Sequence, residues 1–254
     1  MNRNPTIQIN KVISPTVKWL IIINVVVWLF IEIILDYKLG VFPIRSYFAL
    51  FPGKVIFDFQ IWQLATYMFL HAISPSHLLF NMLMLWWLGT ELELRWGRKY
   101  FLFFYLLSGI GAAIFYCVGT LTYAKLVLGG GVMGPLRVPV LGASGAIFGL
   151  LVAYGILFGE RTIYFMMMFP MKAKYLVMMM GAVEMVSLLT GDSGGGEVAY
   201  LCHLGGLLSG YLILIFTVRY ERFKWNLRKK KQAKLRLVVD NQDPKTGDGP
   251  KYWN

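Results

Sequence analysis

The sequence predicts an all-α membrane protein, a bundle of six transmembrane helices whose long first outer loop is partly membrane-embedded. Three observations carry this. Of 254 residues, 57% are hydrophobic and only 15% charged, against about 25% charged in an ordinary soluble domain. Mean hydropathy is +0.58. The apolar residues gather in long runs without the period-two alternation of barrel strands. A bilayer admits only helices and closed barrels, so the runs are read as helices. Aromatics make up 16%, with eight Trp, as suits rings that collect at the two interfaces.

The six segments are 17–35, 78–94, 100–120, 143–158, 175–189 and 198–218. The first begins near Val17, is followed by Asp36-Tyr37-Lys38 and has no small-residue cleavage site, so it is expected to be a helix and not a cleaved leader. An even count puts both termini on one side. Arg3, Lys11 and Lys18 flank the first segment; Arg95, Arg98 and Lys99 join the second to the third; Arg161, Lys172 and Lys174 join the fourth to the fifth. The last connection, 190–197, has Asp192 and Glu197 but no Lys or Arg. Both termini are therefore expected in the cytoplasm. The organisation follows: a short cytoplasmic segment 1–15, a membrane domain 16–218, and a basic tail 219–254, largely disordered, with 241–249 rich in Pro, Gly and Asp.

Two outer connections are long, 38–77 and 121–142, and loops of that length usually have a task. The first contains Tyr47-Phe48-Ala49-Leu50-Phe51 and Val55-Ile56-Phe57, apolar enough to lie partly in the lipid plane. The second is glycine-rich, with Gly129-Gly130-Gly131 and Gly134-Pro135.

A net charge of +12 raises nucleic-acid binding as a possibility. The charge lies in 219–236 and in short connections between apolar segments, which points to anionic lipid headgroups and not to nucleic acid. Cys117 and Cys202 sit in apolar segments with neither zinc-like spacing nor a disulfide framework, and are read as small buried hydrophobes. Three scattered histidines do not make a metal site, and no cofactor or metal is implied.

Groups able to do chemistry are rare inside a bilayer and tend to be functional there. Gly142-Ala143-Ser144-Gly145 opens the fourth segment. The run Ser144 to Phe158 has 15 residues, about 22 Å of helix against a hydrocarbon core of about 30 Å. A helix reaching the cytoplasmic face from there starts below the outer surface, with its unpaired N–H groups and positive dipole end suited to a developing oxyanion. His203 lies within about two turns of the outer end of the sixth segment, which runs in the same direction. Gly145 and Gly149 are four apart, as are Gly206 and Gly210. Such pairs let membrane helices approach closely. A lone serine among Gly and Ala is ordinarily a packing residue, and a lone histidine ordinarily polar glue. Agreement of depth, direction and glycine spacing favours activation of Ser144 by His203.

These residues resemble the rhomboid intramembrane serine proteases. The resemblance covers roughly Trp19 to Val218. Gly142-Ala143-Ser144-Gly145-Ala146-Ile147-Phe148-Gly149 is close to the family's nucleophile motif, which implies Ser144 as nucleophile. His203 with Gly206 and Gly210 resembles its general-base helix. His77-Leu78-Leu79-Phe80-Asn81-Met82 is similar to its second-helix motif, which implies that His77 and Asn81 bind the oxyanion with the Ser144 N–H. Glu93 and Arg95 fit the family's Glu-x-Arg and are read as a structural interfacial pair. The chain departs in having Gln63, not Arg, after Trp62, in having Phe148 where Tyr is frequent, and in a slightly longer stretch from His71 to His77. His71 is unassigned, an interfacial position being favoured. No Asp completes a triad, and Glu184 and Glu32 are read as satisfied structural carboxylates, so a Ser–His dyad is expected.

The resemblance implies a serine endopeptidase that cleaves transmembrane segments of membrane proteins near the outer face, located in the bacterial inner (plasma) membrane. One alternative is a non-proteolytic rhomboid-like protein that binds membrane partners; relatives of that kind are expected to lack Ser144 or His203. A small transporter or channel would place polar residues through both leaflets, whereas those here cluster near the outer one.

Overall fold

The structure, a computed structural model, describes residues 13–40, 42–129, 134–165, 168–190 and 197–233. Ten helices are named here. Helix α1 is Pro15–Lys38. Helices α2 (Phe42–Phe48), α3 (Pro52–Phe57) and α4 (Gln63–Thr66) occupy the first outer connection. Helix α5 (Pro75–Met84) continues through a widened π turn, Leu85–Gly89, into α6 (Thr90–Trp96). After Gly97 come α7 (Arg98–Leu126), α8 (Ser144–Leu157), α9 (Ala173–Thr190) and α10 (Glu197–Ala233).

Among the described residues, four helices have the length and composition to cross a membrane: Pro15–Lys38, Arg98–Leu126, Ala173–Thr190 and Ala199–Leu227; Ser144–Leu157 is a shorter apolar helix. This is a multi-pass integral membrane protein. The expected segment 78–94 lies within the helical stretch 75–96, whose apolar run stops at Glu91, Glu93 and Arg95. The all-α expectation needs one amendment. The connection from α8 to α9 holds an antiparallel hairpin, β1 (Thr162–Phe165) with β2 (Phe169–Lys172). Too short to show alternation, it is braced by Lys172 Nζ 2.6 Å from Glu160 and by a second ion pair from Lys174. Those ammonium groups hold the Glu160 carboxyl down to about 2. The basic tail, expected to be largely without structure from 219, meets a helix that runs to Ala233, while 241–249 lies outside the described residues.

The start of α1 is capped from another helix. Pro15 at the first turn needs no N–H partner. The buried Glu93 carboxylate of α6 accepts from Ser14 Oγ (2.6 Å), Thr16 N–H (3.0 Å) and Val17 N–H (3.0 Å), placing negative charge at the positive helix end. Glu93 and Arg95 therefore do separate work, with Arg95 over the Phe158 ring at 5.5 Å. Farther along α1, Glu32 and Asp36 are buried beside Arg45 of α2, at 3.4 and 3.3 Å.

Gln63 organises the first outer connection without a charge. It is fully buried; Oε1 accepts from Phe51 N–H (2.9 Å), and Nε2 donates to Gln60 Oε1 (2.9 Å) and the Tyr47 carbonyl (3.2 Å). Trp62 Nε1 donates to the same Tyr47 carbonyl at 2.9 Å. Leu50 and Val140 exchange backbone hydrogen bonds of 3.0 and 2.9 Å, tying the connection that holds α2 to α4 to the one that precedes α8.

Helix α8 sits at the centre. Nine of its residues, from Gly145 to Tyr154, are buried. Its glycines face three neighbours. A Cβ on Gly149 would stand 2.5 Å from Ser108 Cβ of α7, and one on Gly155 2.5 Å from Val177 Cγ2 of α9. On α10, a Cβ on Gly206 would collide with the Gly145 carbonyl, and one on Gly210 would lie 2.6 Å from Gly149 Cα. Packing at this distance is open only to glycine.

Candidate active site

Ser144 is the first residue of α8 and is half-buried. Gly142 turns the chain into the helix at φ +126°, its N–H donating to the Tyr67 carbonyl at 2.9 Å. That φ is one L side chains rarely adopt. Ala143 at the N-cap offers no side-chain acceptor, and the helix's backbone bonding begins with Ile147 N–H to the Ala143 carbonyl. The N–H groups of Ser144 to Ala146 thus have no partner within the helix.

His203 lies on α10, six residues past Glu197, and its Nε2 stands 2.8 Å from Ser144 Oγ. Contact between the two glycine faces makes this approach possible. Phe148, one turn beyond Ser144, stacks on the imidazole with centroids 4.4 Å apart and planes 11° from parallel. The ring is held flat without a hydroxyl. A serine hydroxyl within hydrogen-bond reach of an imidazole nitrogen is the arrangement that activates a nucleophile.

His77 closes the opposite side. Its Nδ1 accepts from Ala72 N–H at 3.1 Å, so a neutral ring carries its proton on Nε2. That nitrogen faces the space beside Gly142. A Cβ built there would be 3.2 Å from His77 Nε2 and 3.7 Å from Ser144 Oγ. Gly142 leaves a gap between a donor and the hydroxyl, where an oxygen atom can be received. Asn81, buried, donates from Nδ2 to the His77 carbonyl at 2.8 Å. One of its two amide hydrogens thus supports the backbone that carries His77. His71 is fully buried within the protein, with its ring centroid 5.3 Å from that of His77.

One further group touches the site. Glu184 of α9, a structural carboxylate by the sequence, has Oε2 3.0 Å from His203 Nδ1. The signal was present, a carboxylate in the middle of a membrane helix, but its partner depends on how α9 is rotated about its axis. Cys202 is buried with Sγ 3.7 Å from Tyr67 Oη, and Cys117 is also free and buried.

A family model described as the Rhomboid domain matches residues 58–220, which takes in every side chain of the site. "RHOMBOID-like protein 7" of Arabidopsis thaliana is 30% identical over 177 residues, covering 70% of this chain and 49% of the relative. "Rhomboid-like protease 1" of Toxoplasma gondii is 29% identical over 201 residues, 75% of this chain and 60% of the relative. "Rhomboid protease GlpG" of Yersinia pestis is 27% identical over 162 residues, 63% and 49%. The chain spans about half the length of the curated relatives it matches.

Proposed function

This chain belongs to the rhomboid family, and from that premise we propose that it is an intramembrane serine endopeptidase acting through Ser144 and His203. The observation that carries the reading is the 2.8 Å approach of His203 Nε2 to Ser144 Oγ at the N-terminus of a short, central helix. Relatives named as proteases give the same direction. Its substrates are transmembrane segments of other membrane proteins, cut near the outer face.

In the proposed reaction, Ser144 Oγ attacks a peptide carbonyl carbon while its proton passes to His203 Nε2. The tetrahedral oxygen settles beside Gly142, held by the Ser144 N–H, His77 Nε2 and Asn81. The C–N bond breaks as His203 returns the proton to the departing amine. Water, deprotonated by His203, then attacks the acyl carbon, and the bond to Ser144 Oγ breaks as His203 returns the proton to Oγ and frees the carboxylic acid. Six crossings with both termini in the cytoplasm fit this scheme, because α8 has 14 residues and spans about 20 Å of an about 30 Å core. Ser144 is then reached from the outer side, Phe57, Phe59 and Ile61 lie exposed on a loop that rests in the lipid surface, and the basic stretch 219–236 meets anionic headgroups.

The test is purified protein in phosphatidylethanolamine–phosphatidylglycerol vesicles with a model transmembrane peptide. Ser144→Ala and His203→Ala are each expected to abolish cleavage, and the double variant to be no worse than either, since the two act as one unit. Cleavage by Ser144→Ala would overturn the reading.

A further inference from the structure

We propose that Glu184 is the positioning carboxylate of the base, a residue of α9 that orients His203 and faces the charge its ring gains during reaction. The inference rests on the reading of Ser144 as nucleophile and His203 as base. Glu184 Oε2 lies 3.0 Å from His203 Nδ1, and Ser144 Oγ lies 2.8 Å from the opposite ring nitrogen. Carboxylate, imidazole and hydroxyl therefore stand in a row across the junction of α9, α10 and α8.

The burial pattern of α9 argues that this contact is built. Its buried residues are Ala173, Leu176 and Glu184. The first two belong to the inner end, where Val177 packs on Gly155. Along the remainder, Met178, Val183, Met185 and Val186 are exposed. The outer half of α9 thus turns its apolar side chains outward, as lipid favours, and brings one carboxylate inward, where a polar group in a membrane helix needs a partner. Among the described residues, His203 is the basic group that Glu184 meets. Neither Glu184 Oε2 nor His203 Nδ1 has an aligned hydrogen bond to any other group.

The chemistry follows from the two ring nitrogens. A carboxylate accepts but does not donate, so it keeps the proton of a neutral imidazole on Nδ1 and leaves the Nε2 lone pair toward Ser144. When Nε2 takes the serine proton, the resulting imidazolium lies against the carboxylate, which stays ionised throughout. The other groups facing His203 are the Ser144 hydroxyl, the Phe148 ring and, from α5, His77, near enough to sense its charge. None of them is acidic. The 3.0 Å contact is close but not aligned as a hydrogen bond. Catalytic hydrogen bonds are often loose before substrate binds.

The experiment compares wild type, Ser144→Ala, Glu184→Gln and Glu184→Asp as full chains in the same vesicles. Three quantities are read: turnover of the model peptide, the rate at which a fluorophosphonate labels Ser144, and the acid limb of the kcat/KM–pH profile. Glu184→Gln keeps the shape of the side chain. It is expected to lower turnover and labelling together by about 10²-fold, short of the roughly 10⁴-fold lost by an aligned carboxylate–histidine pair. KM stays unchanged. The acid limb moves to lower pH, because the imidazolium loses its negative neighbour. Glu184→Asp retains the charge and is expected to keep the limb at its wild-type position with a smaller loss of rate; this variant decides the matter if Glu184→Gln does not fold. Wild-type turnover, labelling and acid limb in Glu184→Gln, or a limb displaced equally in Glu184→Asp, would overturn the role of Glu184 while Ser144→Ala remained inactive. An active Ser144→Ala would instead remove the underlying reading, and this one with it.

Discussion

Gly142 carries two demands that no other residue meets together. Its φ of +126° penalises any side chain, and a Cβ there would occupy the gap between His77 Nε2 and Ser144 Oγ. Gly142→Ala is therefore expected to lower turnover by about 10²–10³-fold, as for loss of an oxyanion donor, with a backbone strain of about 1–3 kcal/mol seen as a lower thermal midpoint. Turnover equal to wild type would show that the oxygen is received elsewhere. Asn81 makes a different case, since its amide donates to the His77 carbonyl and has one hydrogen left for the site. Asn81→Ala is expected to reduce kcat by about 10²-fold and leave KM nearly unchanged. An unchanged kcat would remove it from the oxyanion site. Ser144 and His203 stand out in the sequence because polar groups are conspicuous in an apolar chain, whereas His77 and Asn81 are pointed to by the family resemblance. The engagement of Asn81 with a backbone carbonyl, the burial of His71 and the neighbour of Glu184 are not legible there, since each depends on a χ angle or a helix rotation.

Among the helices, α8 is placed by what its neighbours lack. With a Cβ on Gly206 directed at the Gly145 carbonyl, backbone has to move, because no flexible side chain is there to yield. Gly206→Leu is expected to cost about 1–3 kcal/mol or more in stability and to separate His203 from Ser144. Thermal unfolding and peptide turnover should fall together; wild-type values in both would mean that α8 and α10 do not meet on this face. Glu93 offers the contrast. It caps α1 with three hydrogen bonds of 2.6 to 3.0 Å, from Ser14, Thr16 and Val17 and from none of the groups placed at the site. Glu93→Gln loses the charge and leaves at least one donor poorly served, so about 1–3 kcal/mol of stability should go while kcat is retained. A drop in kcat at temperatures where the variant is fully folded would contradict a purely architectural role. The glycine spacing was visible in the sequence; the cap was not, because 76 or more residues separate Glu93 from the groups it serves.

For the molecule as a whole, the proposed placement of Ser144 below the outer surface would set where a substrate is cut. A membrane-spanning substrate hides its carbonyls in intrahelical hydrogen bonds and must unwind locally before one reaches the hydroxyl. Cleavage is therefore expected in the outer part of the substrate's membrane segment, beside helix-breaking Gly or Pro and after a small residue. Mass spectrometry of the products of a peptide inserted in one orientation reads this directly. A cut near the cytoplasmic end would contradict both the proposed orientation and the depth of α8.

What the sequence by itself determined was whatever depends on composition and spacing along one chain: a membrane-spanning helical protein, the short helix behind Ser144, glycines four apart, and the residue types able to activate a hydroxyl. These signals survive without tertiary structure because a bilayer penalises every polar side chain and open backbone group that lacks a reason to be there. Tertiary structure alone decided the relations between chain segments far apart in sequence. It set the hairpin before α9, the cap that α6 lends to α1, the neutral tie that Gln63 makes across the first outer connection, and the rotation of α9 that turns Glu184 toward His203. The reason is geometric. Which face a membrane helix turns inward follows from the shapes packed around it, and α9, with most of its surface exposed and its polar group buried, carries no apolar stripe from which that face is readable.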